Sequence, residues 1–581
     1  MLKQIKNPKD LKTVQAEKLP ALCDEIRQTL IQKISTCGGH LAPNLGVVEL
    51  TTALHYVFDA PTDKIVFDVS HQTYVHKMLT GRIAAFTDPA HYHDVNGFSN
   101  PVESPYDLFT LGHTSTALSL ACGLAKARDI AKQKHHVVAI IGDGSLSGGQ
   151  AYEALNNIAE QGGNVMIIVN DNAMSIAENH GGYYQNLTEL RATNGTSPDN
   201  LFRALGLDYV YEPHGNDVTA MIKTLNKVKN CTRPTVVHVH TVKGYGYAPA
   251  EANPERFHYC GPFDVATGKT KPNTAPTYAE ITYQYLKDKM AHDPKLVVIT
   301  PATPNPIGFY PERRQAAGTQ FVDTGIAEEH AVAFAAGLAK GGAHAVLGVH
   351  GSFLQRSFDQ LHQDLSLDHN PATLLIFGDH VHGMGGSTHN GFYDIVELGN
   401  IPNLIYLAPI SQQHYLQMLD WSIEQNAHSV AIRVPDQIID DPLPLAKTFT
   451  NQARVITQGQ DVAIIAVGSA FPLAQQVVTA LQKHDLHATL IDPVCVSCLD
   501  TKLLNKIATN HHLVVTMEEG ALDGGFGQKV AAFYGDRDMH VRNYGFTQGL
   551  TQDFVPDEFL KLNGLTVENI TQDILQYFHK K

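Results

Sequence analysis

The sequence predicts an α/β protein built from three domains, each with a mainly parallel sheet covered by helices. Three observations carry that prediction. Short β-branched and apolar runs recur along the chain, segments of helix length separate them, and the runs are continuously apolar, as strands buried on both faces are. In chain order they are VVAII (137–141), VMIIVN (165–170), TVVHVH (235–240), AVLGV (345–349), TLLIF (373–377), DVAIIAV (461–467), ATLIDP (488–493) and LVVTME (513–518).

Length and punctuation divide these runs. A chain of 581 residues is too long for one small module, since domains hold roughly 100 to 200 residues. Proline and glycine cluster, and periodicity lapses, at GPFDVATGKTKPNTAPTY (261–278) and PDQIIDDPLPLAKT (435–448). The expected domains are therefore 1–275, 276–440 and 441–581. No short-period repeat or low-complexity tract interrupts them.

Composition removes several classes of function. Charged residues make up 17% and hydrophobic residues 43%, which excludes disorder and points to much interior or interface. The formal charge of −15 repels phosphate backbones and anionic lipid, so neither nucleic acid nor a membrane surface is an expected partner. The N-terminal MLKQIKNPKDLKTVQ lacks the apolar core of a secretory signal, and nowhere do 18 apolar residues run together. Seven cysteines over this length are no disulfide framework, and the expected location is the cytoplasm. Cys495 and Cys498 form a CxxC without the second pair a zinc site requires.

The first residues that carry chemistry are IIGDGSLSGGQAYEALNN (140–157), a strand that runs into Gly142, Asp143 and Gly144 and then a helix. Small residues there let backbone amides approach an anion, although a glycine-rich turn is often only a tight turn. The following strand, VMIIVNDNAMS, reaches Asn172, 29 residues beyond Asp143. A parallel β-α-β unit brings both strand ends to one sheet edge, where Asp143 and Asn172 can offer oxygens to one hard cation. That arrangement suits Mg²⁺ bridging a diphosphate.

GDG followed by an NDN that closes a strand resembles the thiamine diphosphate signature. The surrounding motifs extend the likeness: GGHLAPNLGVVELTTALHYVF (38–58), DVSHQTYVHKMLTGR (68–82), LGHTSTALSLACGLA (111–125), TVKGYGYAPAE (241–251), GIAEEHAVAFAAGLA (325–339) and FLQRSFDQ (353–360). With these the sequence resembles the 1-deoxy-D-xylulose-5-phosphate synthase family, relatives of transketolase, over nearly its whole length. The resemblance implies a diphosphate-binding domain, a pyrimidine-binding domain and a C-terminal transketolase-like domain, in that order, and a homodimer.

It also implies roles for particular residues. Asp143, Asn172 and the carbonyl of Met174 would hold Mg²⁺; His71, Gly112, His113, Thr114, Gly144, Ser145 and Lys243 would line the diphosphate and thiazolium. Glu328 matches the carboxylate that hydrogen-bonds the aminopyrimidine, a contact that helps the ring remove the C2 proton. Without that context Glu328 would read as a solvated helix residue, as its neighbour Glu329 does. Phe353 would pack on the pyrimidine. His40, His71, His258 and His389 match histidines that handle donor protons and substrate oxygens; with 31 histidines in the chain, most of the others are incidental.

Departures from the family gather where the acceptor aldehyde binds. The family grips the acceptor phosphate with a tyrosine and two arginines, which align with His350, Gly378 and Asp436 here. Gly385 replaces an acidic residue, Pro43 a small hydroxyl residue and Ser70 a glycine, and the segment after NDNAMSI is much shortened. Losing two guanidiniums removes bidentate phosphate ligands, and Asp436 adds a repelling charge. Arg356 and Arg433 remain nearby in sequence. His350, His380 and His382 would rebuild a weaker anion site on acidification.

The expected activity is that of a thiamine-diphosphate-dependent transferase that decarboxylates pyruvate and adds the two-carbon unit to an aldehyde, glyceraldehyde 3-phosphate in the family. An alternative is a transketolase-like ligase of a different, unphosphorylated acceptor. A non-catalytic paralogue is disfavoured, because it has no need to keep Glu328, Asp143 and Asn172.

Overall fold

The computed structural model describes residues 1–270, 275–378, 380–381, 388–435, 437–547 and 555–580. Asp436, Gly385 and His382 lie outside the described residues. The chain divides into two compact units: Met1–Thr274 with Gly325–Ala327, and Ala275–Thr324 with Glu328–Lys581.

The first unit is built on a five-stranded sheet of β1 (Lys64–Phe67), β2 (Val137–Gly142), β3 (Val165–Asp171), β4 (Asp208–Glu212) and β5 (Thr235–His240), ordered β1-β2-β3-β5-β4. Every pairing is parallel. Side chains alternate between two cores. Val138, Ile140, Met166 and Ile168 pack on one face with the long N-terminal helix Leu19–Cys37, while Val137, Ala139, Ile141, Val165 and Ile167 pack on the other with the helices Ala117–Ile130 and Gly149–Gln161. Burial on both faces is why these strands read as unbroken apolar runs.

The second unit holds two sheets. One contains β6 (Leu296–Thr300), β7 (Phe321–Asp323), β8 (His344–His350), β9 (Ala372–Phe377), β10 (Leu404–Leu407) and β11 (Ser429–Arg433), all parallel, in the order β10-β11-β9-β8-β6-β7. The other contains β12 (Arg454–Thr457), β13 (Val462–Ala466), β14 (Ala488–Asp492), β15 (Leu513–Ala521) and β16 (His540–Phe546), in the order β12-β14-β13-β15-β16. Only β12 runs antiparallel there. Leu347, Leu374 and Ile376 of the first of these sheets share one core with Ala463, Ile465 and Val514 of the second. No helix of the described residues is long and apolar enough to cross a membrane.

Candidate active site

Parallel pairing aligns the ends of β2 and β3, with Gly142 opposite Asn170 and the Asp143 amide donating to the Asn170 carbonyl at 3.1 Å. Asp143 is buried. Burial and the neighbouring Asp171 carboxylate hold its carboxyl well above the ordinary range, and Lys243 opposes that shift. Asn179 Nδ2 donates to Asp143 Oδ2 at 2.9 Å. Asn172 follows Asp171, and its Oδ1 is buried without a hydrogen-bond partner. Met174 lies in the same turn, bridged to Glu178. Carboxylate, amide oxygen and backbone carbonyl form an all-oxygen set of the kind a hard divalent cation takes, and an orphaned amide oxygen is costly unless something binds it.

Three turns converge beside these groups. Ser115 Oγ donates to the Ser145 carbonyl at 2.8 Å, joining the turn that carries Gly112, His113 and Thr114 to the one that carries Gly144 and Ser145. Glycine is obligatory at 144, where a Cβ would lie 2.7 Å from that of Ser175. Asp68, wholly buried, accepts from the amides of Ser115 (2.8 Å) and Ala117 (3.0 Å) and so fixes the start of the helix Ala117–Ile130. The Lys243 ammonium donates to the Ser175 carbonyl, and its burial pulls the pKa down to about 8.

His40, His71 and His258 form a ring cluster, with centroids 5.2 Å apart for His40–His71, 5.1 Å for His71–His258 and 5.8 Å for His40–His258. Asn44 ties two of them, donating from Nδ2 to the carbonyls of both His40 and His71 at 2.8 Å. Reciprocal backbone bonds between Gly39 and Cys260 bring in the third. His40 and His258 keep some contact with solvent, yet crowding by protein atoms, together with nearby Lys243 and His71, depresses both imidazoles and keeps them neutral.

The replaced residues of this unit fit their backbones. Pro43 occupies the first turn of the short helix Ala42–Leu45, where a missing N–H costs little. Ser70 adopts φ 72°, a conformation that favours glycine, and its Oγ accepts from the Ser99 amide at 2.8 Å. The shortened segment after Asn172 forms the helix Gly182–Ala192, which is anchored rather than loose. Tyr184 OH donates to the Gly144 carbonyl at 3.1 Å, Arg191 pairs with Asp171, and Leu187 and Leu190 are buried. Asp171 also accepts from His238 Nε2 at 2.8 Å; these partners outweigh burial and hold its carboxyl at about 2.

In the second unit, Glu328 opens the helix Glu328–Lys340 and is 3% exposed, whereas Glu329 is half-buried. Burial raises the Glu328 carboxyl to about 6 against the pull of Arg356, whose Nη1 lies 3.4 Å from Oε2. The Phe353 ring is flanked by His350 at 5.2 Å and His389 at 5.3 Å. His350 and Phe377 end adjacent strands, and Gly378 follows with φ 74°. A Cβ there would meet His350 Nδ1 at 2.8 Å, so the histidine fills the space a side chain at 378 needs. Arg433 is buried and committed: Nε donates to Asp394 Oδ2 at 2.8 Å, Nη1 to Ser469 Oγ at 3.0 Å and Nη2 to the Glu519 carbonyl at 2.8 Å.

Comparison with known proteins agrees across the chain. Residues 2–197 and 192–241 match the family model described as 1-deoxy-D-xylulose-5-phosphate synthase. Residues 274–440 match the transketolase pyrimidine binding domain, and 451–570 the transketolase C-terminal domain. The 1-deoxy-D-xylulose-5-phosphate synthase of Symbiobacterium thermophilum is 38% identical, over 98% of this chain and 94% of its own. Those of Brevibacillus brevis and Pelotomaculum thermopropionicum are 37% and 36% identical, over 97% and 100% of this chain and 94% and 98% of their own. The chain belongs to the 1-deoxy-D-xylulose-5-phosphate synthase family. It is a thiamine-diphosphate-dependent transferase with mainly parallel α/β architecture.

Asn44, Asp68, Asp171, Asn179, Tyr184 and Arg191 had not been singled out from the sequence. Asn172→Ala provides a sharp test. It is expected to lower Mg²⁺-dependent cofactor affinity by at least about tenfold, because the sequence reading makes its amide oxygen a cation ligand. Apoprotein stability should hold or rise, because an unsatisfied buried oxygen is also lost. Calorimetry and thermal melts measure the two, and unchanged affinity would show that the cation sits elsewhere.

Proposed function

We propose that the chain decarboxylates pyruvate and transfers the two-carbon unit to an aldehyde, with glyceraldehyde 3-phosphate as the acceptor its family uses. The observation that carries this reading is the buried, unpartnered Asn172 Oδ1 beside Asp143 at the ends of adjacent parallel strands. Asp143, Asn172 and the Met174 carbonyl would hold Mg²⁺. His71, Gly112, His113, Thr114, Gly144, Ser145 and Lys243 would line the diphosphate and thiazolium, and Glu328 and Phe353 the pyrimidine. Bound thiamine diphosphate supplies the electron sink that decarboxylation of a 2-keto acid requires.

The chain's own residues would do the rest. Glu328, raised toward neutrality by burial, can hold or release a proton at its carboxyl oxygens. His40 and His258, kept neutral, can accept a proton or donate a hydrogen bond to substrate oxygens, with His71 beside them and His389 serving in the second unit. Lys243 brings positive charge toward the anionic end.

In this reading, residues 1–275 form the diphosphate domain, 276–440 the pyrimidine domain and 441–581 the C-terminal domain of a cytoplasmic homodimer. Light scattering at micromolar protein is expected to give twice the 63.5 kDa chain mass; a monomer mass would remove the dimer. The function itself is tested by supplying pyruvate with a panel of aldehydes and weighing the products. Carbon dioxide release that requires thiamine diphosphate, with a two-carbon mass gain on the aldehyde, is the expected result. Absence of both would exclude it.

A further inference from the structure

Cys495 and Cys498 take no part in the chemistry above, and their sulfurs are joined in a disulfide. The other cysteines, Cys23, Cys37, Cys122, Cys231 and Cys260, are free, so the bridge belongs to no stabilising framework. It closes a loop of only a few residues, where a bridge contributes least to stability. The two residues differ in exposure. Cys495 is 1% exposed, and the backbone on both sides of it is pinned, Ala408 N donating to the Val494 carbonyl at 2.9 Å and Val496 N to the Tyr406 carbonyl at 2.7 Å. Cys498 is exposed and lines a surface groove of about 570 Å³ with Asn451, His428 and Lys529. The Cys498 amide donates to Cys495 Sγ at 3.2 Å, and Ser497 Oγ lies 3.6 Å from the same sulfur.

We propose that Cys495–Cys498 is a reversible thiol–disulfide exchange site for small-molecule thiols, with exposed Cys498 the sulfur attacked and buried Cys495 the leaving group. The thiolate of a small thiol bonds to Cys498 Sγ, the Cys495–Cys498 bond breaks, and its electron pair leaves on Cys495 Sγ. The Cys498 amide and the Ser497 hydroxyl lie where they stabilise that charge. A second small thiolate then attacks the small-molecule sulfur of the mixed disulfide and releases Cys498 as a thiolate. The protein gains two electrons, both thiolates take up protons from water according to pH, and two small thiols leave as one disulfide.

The test uses the full chain in mixtures of reduced and oxidised glutathione, acid-quenched, alkylated and read by peptide mass. The 495–498 pair is expected to pass from disulfide to dithiol across the range of ratios. A pair that stays disulfide, or stays dithiol, at every ratio would overturn the proposal without recourse to any variant. Cys495→Ser is expected to trap glutathione on Cys498, and Cys498→Ser to capture it on Cys495 at least about tenfold more slowly. Faster capture at Cys495 would reverse the assigned roles and sink the mechanism.

Discussion

Glu328→Ala is expected to slow exchange of the C2 proton of bound thiamine diphosphate by roughly 10²- to 10⁴-fold, the range ordinarily lost with a positioned acid or base. Cofactor affinity should change far less, because the residues assigned to the metal and diphosphate all belong to the first unit and remain intact. Hydrogen–deuterium exchange at C2 is the direct measurement, and exchange at the wild-type rate in the variant would mean that another group activates the ring. The same carboxyl predicts a stability effect of definite sign. Its folded pKa of about 6 lies above the unfolded value, so the folded protein binds the proton more tightly. The stabilisation is complete below about pH 4.3 and is lost as pH rises through 6. Glu328→Gln removes the cost of the buried charge. The apo variant should therefore be more stable than wild type at pH 8, by about 2 kcal/mol, and the difference should vanish near pH 4.

The acceptor should be chosen with little regard for its phosphate. Glyceraldehyde 3-phosphate and glyceraldehyde are expected to differ in kcat/KM at pH 8 by no more than about tenfold, since on the alignment the family's phosphate-gripping tyrosine falls at His350 and its two arginines at Gly378 and Asp436. Each absent charge-assisted contact removes about 1.5–3 kcal/mol of preference, so the pair accounts for roughly 10²- to 10⁴-fold. Neither remaining arginine stands free to compensate: Arg433 spends its donors on Asp394, Ser469 and Glu519, and Arg356 faces Glu328. Gly378→Arg alone should restore nothing, because His350 Nδ1 occupies the space its side chain needs. His350→Ala combined with Gly378→Arg should raise the phosphate preference. Rates for both aldehydes at pH 6 and pH 8 decide the matter, with protonated imidazole expected to favour phosphate only at the lower pH. A wild-type preference above about 10²-fold at pH 8 would mean that other groups grip the phosphate.

What could be read before the structure divides along a physical line. Many of the strands buried on both faces were legible because runs such as VVAII and VMIIV are wholly apolar, and each of the eight runs falls on a strand of the three sheets. Shorter or half-exposed strands, such as Phe321–Asp323 and Asp208–Glu212, carry no such run and were missed. Asp143 and Asn172 were accessible to spacing because one β-α-β unit relates them. Glu328 was not: an acidic residue at a helix start looks the same in any helix, and only the resemblance singled it out. Asp68 and Asn44 were invisible for a different reason. Their partners are backbone atoms, of Ser115 and Ala117 for Asp68 and of His40 and His71 for Asn44, and backbone atoms leave no trace in residue identity.

The anchored helix Gly182–Ala192 changes the entropy of ligand binding. A mobile cover must be ordered each time a ligand enters, at a cost of about 1–2 kcal/mol for each residue whose backbone is immobilised. Here Tyr184, Arg191, Leu187 and Leu190 are already held, so that ordering was completed when the chain folded. A ligand that binds beside Gly144 therefore meets a helix whose ordering its own binding energy does not have to supply.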